Sequence, residues 1–131
     1  MRFAGATHSW WMHELSKIGA MGEQLAWQHS QSLGFELLDR NFRSRRGEID
    51  LIVTKNKVVS FIEVKTRRSG SAGHPFEAIT KAKMAAMRGT AVEWLASRQV
   101  NALAVNFGAV AVRLSSAVGE APFIEFLEEI G

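Results

Sequence analysis

Asp50, Glu63 and Lys65 are charged residues set in, or just at the end of, two apolar runs, Ile49–Val53 and Val58–Val64. The polar stretch Thr54-Lys55-Asn56-Lys57 separates the runs, a pattern that reads as a β-hairpin. With the turn centred between Asn56 and Lys57, Lys55 faces Val58 and Asp50 faces Glu63. Their side chains then share one face, with Cβ atoms roughly 5 Å apart. Lys65 lies two residues beyond Glu63 and projects from the same face, because side chains alternate along a strand. Two carboxylates that close repel unless something positive lies between them. Oxygen ligands suit magnesium or manganese, so the pair predicts a site for Mg²⁺ or Mn²⁺. An odd-numbered loop would shift the register by one and turn Asp50 to the opposite face. The simpler alternative is a surface pair in which Lys65 neutralises one acid; three charges converging within apolar runs favour a site.

The remaining elements must position this hairpin. Ile18, Met21, Leu25, Ala26 and Leu33 recur at helical spacing and predict a helix over Lys17–Leu33, which Gly34 stops. Glu23 belongs to that helix; taken alone it is an exposed acid near the helix start, favoured by the dipole. A strand is expected over Phe35–Asn41. It is followed by four arginines in Arg40–Arg46, of which Arg43, Arg45 and Arg46 lead through Gly47 into Asp50. Guanidinium forks pair bidentately with phosphate, so this segment reads as a phosphate-binding loop. Glu48 is expected on the Asp50 face opposite Lys65, as a supporting ion pair. The Ser/Gly-rich stretch from Arg67 and Arg68 to His74 reads as a substrate-contacting loop. His74, a lone loop histidine, stays outside the catalytic set.

Pro75 suits a helix start, and Ile79, Ala82, Ala86, Met87, Val92 and Leu95 continue a helix to Ser97. This crossover carries Lys81 and Lys83 in its first turns, close to the hairpin if the helix packs beside it. Val100–Val105 and Phe107–Leu114 predict a buried strand or strand pair, and Ala121–Ile130 a closing strand or helix. Residues 1–16, with Trp10 and Trp11, form an N-terminal extension, helical or disordered, ahead of a single domain over 17–131.

The 131 residues suffice for one domain with a genuine core. Net charge is +3, unevenly placed: Arg40–Arg88 holds twelve Lys or Arg against four Asp or Glu, whereas the last twelve residues hold four Glu and no base. A basic middle around an acidic site suits a polyanion, which makes nucleic acid the expected partner. There is no cysteine, which excludes disulfides and thiolate metal sites. No run is long enough to span a bilayer. The expectation is a cytoplasmic protein without membrane contact.

The segments Gly19-Ala-Met-Gly-Glu23, Arg40-Asn-Phe-Arg43, Gly47-Glu-Ile-Asp-Leu-Ile52, Phe61-Ile-Glu-Val-Lys-Thr-Arg67 and Pro75-Phe-Glu-Ala-Ile79 resemble the YraN-like family of small bacterial proteins. That family falls in the PD-(D/E)XK nuclease superfamily, among relatives of archaeal Holliday-junction resolvases. The resemblance runs from about Gly19 to Val112. It implies a restriction-endonuclease-like three-layer α/β sandwich with a mixed central sheet and flanking helices, in α-β-β-β-α-β order. It further implies an Mg²⁺- or Mn²⁺-dependent endonuclease acting on phosphodiester bonds, with DNA as partner, branched DNA and repair as context, and a possible homodimer. Asp50, Glu63 and the Val64 backbone carbonyl would be metal ligands, with Glu23 as accessory acid and Lys65 as the catalytic lysine. Arg43, Arg45, Arg46, Arg67, Arg68, Lys81 and Lys83 would bind the nucleic acid, Lys83 standing at a family position. The chain departs from the pattern at Ala86, where an arginine is common, and at Asn106-Phe107-Gly108, where Arg-Phe-Asp is common. The alternative implied by those departures is a non-catalytic nucleic-acid-binding module on the same fold.

Overall fold

The structure, a computed structural model, describes residues 17–68, 70, 73–115, 117 and 119–130 in full, and residues 2–16 only as helical backbone. The chain begins with helix α1 (Arg2–Ser32), then runs through strands β1 (Glu36–Arg43), β2 (Glu48–Lys55) and β3 (Val58–Arg68). A 3-10 turn (Pro75–Ala78) leads to helix α2 (Lys81–Ser97), followed by β4 (Ala104–Leu114) and β5 (Phe123–Leu127). The five strands form one sheet in the order β1-β2-β3-β4-β5. β3 and β4 are parallel and the other pairs antiparallel. The expected α-β-β-β-α-β order is therefore present, with β5 added as an edge strand. The side chains of residues 1–16, including Trp10 and Trp11, lie outside the described residues.

Each boundary has a local cause. Gly34, at φ +94, ends α1 in a Schellman arrangement: Phe35 N–H donates to the Ser30 carbonyl (3.1 Å) and Gly34 N–H to that of Gln31 (3.0 Å). The β2–β3 turn is the two residues Asn56 and Lys57, both at positive φ (53° and 63°), the type I′ geometry that matches strand twist. Lys55 consequently pairs with Val58, and the even-numbered register holds.

Three expectations change. The helix predicted to continue from Pro75 breaks at Ile79–Thr80, because Thr80 caps α2 with its hydroxyl accepting from Lys83 N–H at 3.2 Å. Val100–Leu103 is not a strand, and β4 is one continuous strand from Ala104. β1 extends to Arg43, with a bulge between Leu37 and Asp39.

The sheet separates two apolar layers. Ala26 of α1 packs with Phe35, Leu51, Val53, Ile62, Val64, Val110 and Val112 on one face. Ala91 and Trp94 of α2 pack with Ile49, Ile52, Val59 and Phe61 on the other. Leu51 and Val53 thus face α1, yet Ile49, two residues earlier, joins the α2 layer. The alternation of β2 breaks at Asp50, opposite the stretch of β1 where Asn41 adopts φ +51. Among the described residues no helix is long and apolar enough to cross a membrane.

Candidate active site

The break in β2 gives Asp50 its position. The β2–β3 ladder runs from Lys55↔Val58 to Leu51↔Ile62 and goes no further. Beyond it the Asp50 carboxylate takes the place of a backbone acceptor: Val64 N–H donates to its Oδ2 at 2.7 Å. Asp50 and Glu63 are both buried, at 8% exposure each. Burial, and then the neighbouring Glu63 charge, push the Asp50 carboxyl up to about 7, against the Val64 hydrogen bond. Glu63 is treated differently. Its Oε1 accepts from Lys65 Nζ at 3.0 Å and from Lys83 Nζ at 3.2 Å.

A cavity of about 190 Å³ opens here, lined by Gly47, Glu48, Asp50, Glu63, Lys83, Ala86 and Met87. Gly47 lets α2 pack closely at its rim, since a Cβ there would stand 3.2 Å from both the Ala86 and the Thr90 side chains.

Glu23 reaches the same region from the other face. Gly22 lets α1 lie directly on β3, for a methyl group there would overlap the Thr66 hydroxyl. The next residue, Glu23, is hydrogen-bonded by Asn41, and its carboxyl is raised chiefly by burial. Its charge is felt at Asp50. Gly22→Ala is expected to cost about 1–3 kcal/mol in urea unfolding, the usual cost of overpacking. Thr66→Ala should recover part of it, and strictly additive effects of the two changes would show that this contact does not set the helix position.

The structure also sorts the predicted basic residues. Arg43 pairs with Glu48 (3.5 Å) and Arg46 with Glu93 of α2 (3.7 Å), while Arg45 is exposed at the loop tip. Glu48 therefore does not pair with Lys65 as expected. The β1–β2 ladder continues to Arg43↔Glu48 after the β2–β3 ladder has ended, so Glu48 stays with β1. Lys83 reaches the site, whereas Lys81, two positions away on the helix, lines a separate cavity with Arg88 and Glu129. Arg67 keeps the face of Lys65, and Arg68 turns to a groove on the α1 side with Lys17, Met21 and Glu120. His74 caps the 3-10 turn and pairs with Glu125 at 2.7 Å, a structural use. Two contributors were not singled out from sequence. Asn41 carried its signal only in its neighbours, and Arg113 stood as one charge in an apolar strand.

The donor set suits a hard divalent ion. It consists of oxygen atoms, and the Lys83 charge, which Asp50 also feels, does not bring Asp50 back to an ordinary carboxylate. Among the described residues no three His, Asp or Glu side chains gather as a complete ligand set. An ion would thus take Asp50, Glu63 and backbone or water oxygens, the habit of magnesium.

Such a sheet, helix-covered on both faces and carrying its acids on adjacent strands, defines a restriction-endonuclease-like α/β sandwich. Residues 22–112 match the Uncharacterised protein family UPF0102. A UPF0102 protein of Beutenbergia cavernae is 39% identical over 120 residues, covering 92% of this chain and 100% of that protein. One of Rhodococcus opacus is 41% identical over 117 residues, 89% of this chain and 97% of that protein. Another, of Alkaliphilus oremlandii, is 44% identical over 84 residues, 64% and 72% of the respective chains. The chain belongs to the UPF0102 family, the YraN-like group.

Proposed function

We propose that this chain is a metal-dependent nuclease that hydrolyses phosphodiester bonds, with branched or otherwise structured DNA as the substrate class its resemblance to junction resolvases suggests. The observation that supports this most is the buried Asp50–Glu63 pair beside a cavity, one acid held protonated by burial and the other bridged to two lysines. Asp50, Glu63 and the Val64 carbonyl would hold Mg²⁺ or Mn²⁺, with Glu23 as accessory acid. The ion supplies Lewis-acid activation of the phosphodiester and a bound water of lowered pKa.

The chain's own residues do the rest. Val64 N–H fixes the Asp50 carboxylate. Glu63 holds the Lys65 ammonium at the site, where it orients the attacking water and offsets charge building on the phosphoryl oxygens. Lys83 adds a second positive charge from α2. Arg43, Arg45, Arg46 and Arg67 contact flanking phosphates. A homodimer in the cytoplasm fits this activity, because a junction presents paired strands and the chain has no cysteine to need an oxidising compartment.

The test is cleavage of labelled junction, flap, duplex and single-stranded DNA, and of RNA, in Mg²⁺, Mn²⁺ or EDTA, with Glu63→Gln alongside. Metal-dependent cutting that disappears in the variant is expected. One observation favours a second reading, a binding module without catalysis: Lys65 and Lys83 already neutralise Glu63. Salt-sensitive binding, indifferent to divalent ions and without cutting, would establish that reading instead.

A further inference from the structure

Positive charge around the site is not equally available to a ligand. Arg43 and Arg46 each face a carboxylate, and Lys65 and Lys83 share Glu63. The parallel pair β3–β4 offers a different arrangement. Its register sets Glu63 beside Ala109, Lys65 beside Ala111 and Arg67 beside Arg113. Residues paired in register and two apart along a strand project from one face. Arg67 and Arg113 therefore stand together on the Glu63–Lys65 face, one two-residue step of about 6.6 Å beyond Lys65.

Both lie next to last in their strands, at the carboxyl ends where open α/β sheets bind ligands. Arg113 is half-buried and donates from Nη2 to the Gly73 carbonyl at 2.7 Å. A carbonyl is a neutral acceptor, so the guanidinium keeps its full charge and its remaining donors. Glu125, the acid on this face of β5, is engaged by His74 at 2.7 Å. The His74 ring is in turn held by Phe76 N–H, which donates to Nδ1 at 3.0 Å. Among the described residues no carboxylate forms an ion pair with Arg67 or Arg113.

We propose that Arg113 and Arg67 form a two-arginine phosphate contact. It would bind the phosphate next to the scissile one and lead the nucleic-acid strand away over the ends of β3 and β4. Arg113 also anchors Gly73, just ahead of the 3-10 turn. The assignment rests on the nucleic-acid reading above and adds to it the direction in which the strand leaves.

Fluorescence anisotropy of labelled duplex and single-stranded oligonucleotides, in EDTA over a salt series, tests it. One phosphate contact contributes about 0.9 to the slope of log affinity against log salt on duplex, and about 0.7 on a single strand. Arg113→Gln keeps an N–H donor for Gly73 but loses the charge. It should lower the slope by that amount and weaken duplex binding about eightfold at 0.1 M salt relative to 1 M. Arg113→Lys should preserve the slope, and Arg98→Gln, at the opposite end of α2 from Lys83 and paired with Asp39, should leave slope and affinity unchanged. Wild-type affinity and slope in Arg113→Gln would overturn the proposal while leaving the nucleic-acid reading intact. No binding of any probe by wild type would overturn both. If Arg113→Gln does not fold, the Nε–H resonances of Arg67 and Arg113 in wild type decide. A shift on adding oligonucleotide supports the contact, and no shift overturns it.

Discussion

Asp50→Asn should make the metal-free protein more stable at pH 8 and leave it unchanged near pH 3. The Asp50 carboxyl lies near 7 in the fold against an ordinary 3.8, so the folded chain binds this proton more tightly than the unfolded one. Stability from that proton is fully present below about pH 4 and is lost as pH rises through about 7. The span of the shift sets an upper limit on the order of 4 kcal/mol. Asparagine keeps an oxygen for Val64 N–H and removes the charge that burial and Glu63 oppose. Divalent ions should act in the opposite pH sense on wild type. In the proposed site they would bind the deprotonated carboxylate, so Mn²⁺ should raise the melting temperature at pH 8 far more than at pH 5. Asp50→Asn should lose that response. Urea unfolding at three pH values measures the first effect, and thermal melting at pH 5 and pH 8 with and without Mn²⁺ the second. A variant less stable than wild type at pH 8 in EDTA would sink this account of Asp50.

On the proposed mechanism Glu63→Gln should lower cleavage by roughly a thousandfold, the rate equivalent of about 4 kcal/mol, since it would remove one of two carboxylate ligands and the anchor of Lys65. Its effect on stability should be small and of opposite sign to that of Asp50→Asn. Glutamine leaves Lys65 and Lys83 without their shared counter-ion. The side chains are 22% and 45% exposed, so both ammonium groups can turn to water and the loss should be about 1 kcal/mol. The two neighbouring acids therefore separate by sign in metal-free unfolding while agreeing in lost cleavage. Full cleavage by Glu63→Gln under single-turnover conditions would remove Glu63 from the mechanism.

Much of this arrangement was legible in sequence because it depends on local rules. The register that sets Leu51 against Ile62, one step short of Asp50 and Glu63, follows from a two-residue turn, and Asn56 and Lys57 form one by both adopting positive φ. Gly34 stops α1 where its left-handed conformation is needed. The order of helices and strands follows from hydrophobic periodicity and loop composition, and the motif segments in GEIDLI and FIEVKTR identified the family. A strand's alternation and a helix's 3.6-residue period are properties of a few neighbouring residues, so they can be read from the chain.

Which partner each charge finds was settled only by tertiary packing. Glu48 pairs with Arg43 rather than Lys65 because one ladder ends before the other, where β2 changes face at Asp50. Lys83 reaches Glu63 while Lys81 does not, because α2 packs on the sheet with only one of the two directed at the site. Arg113 joins Arg67 solely through parallel pairing of segments some 46 residues apart. The raised Asp50 carboxyl needs the burial supplied by helices on both faces, together with Glu63 beside it. Charge interactions act over a few ångströms in space whatever the separation along the chain. The sequence by itself therefore determined the elements and the acids they carry, and the folded arrangement decided how those acids are neutralised.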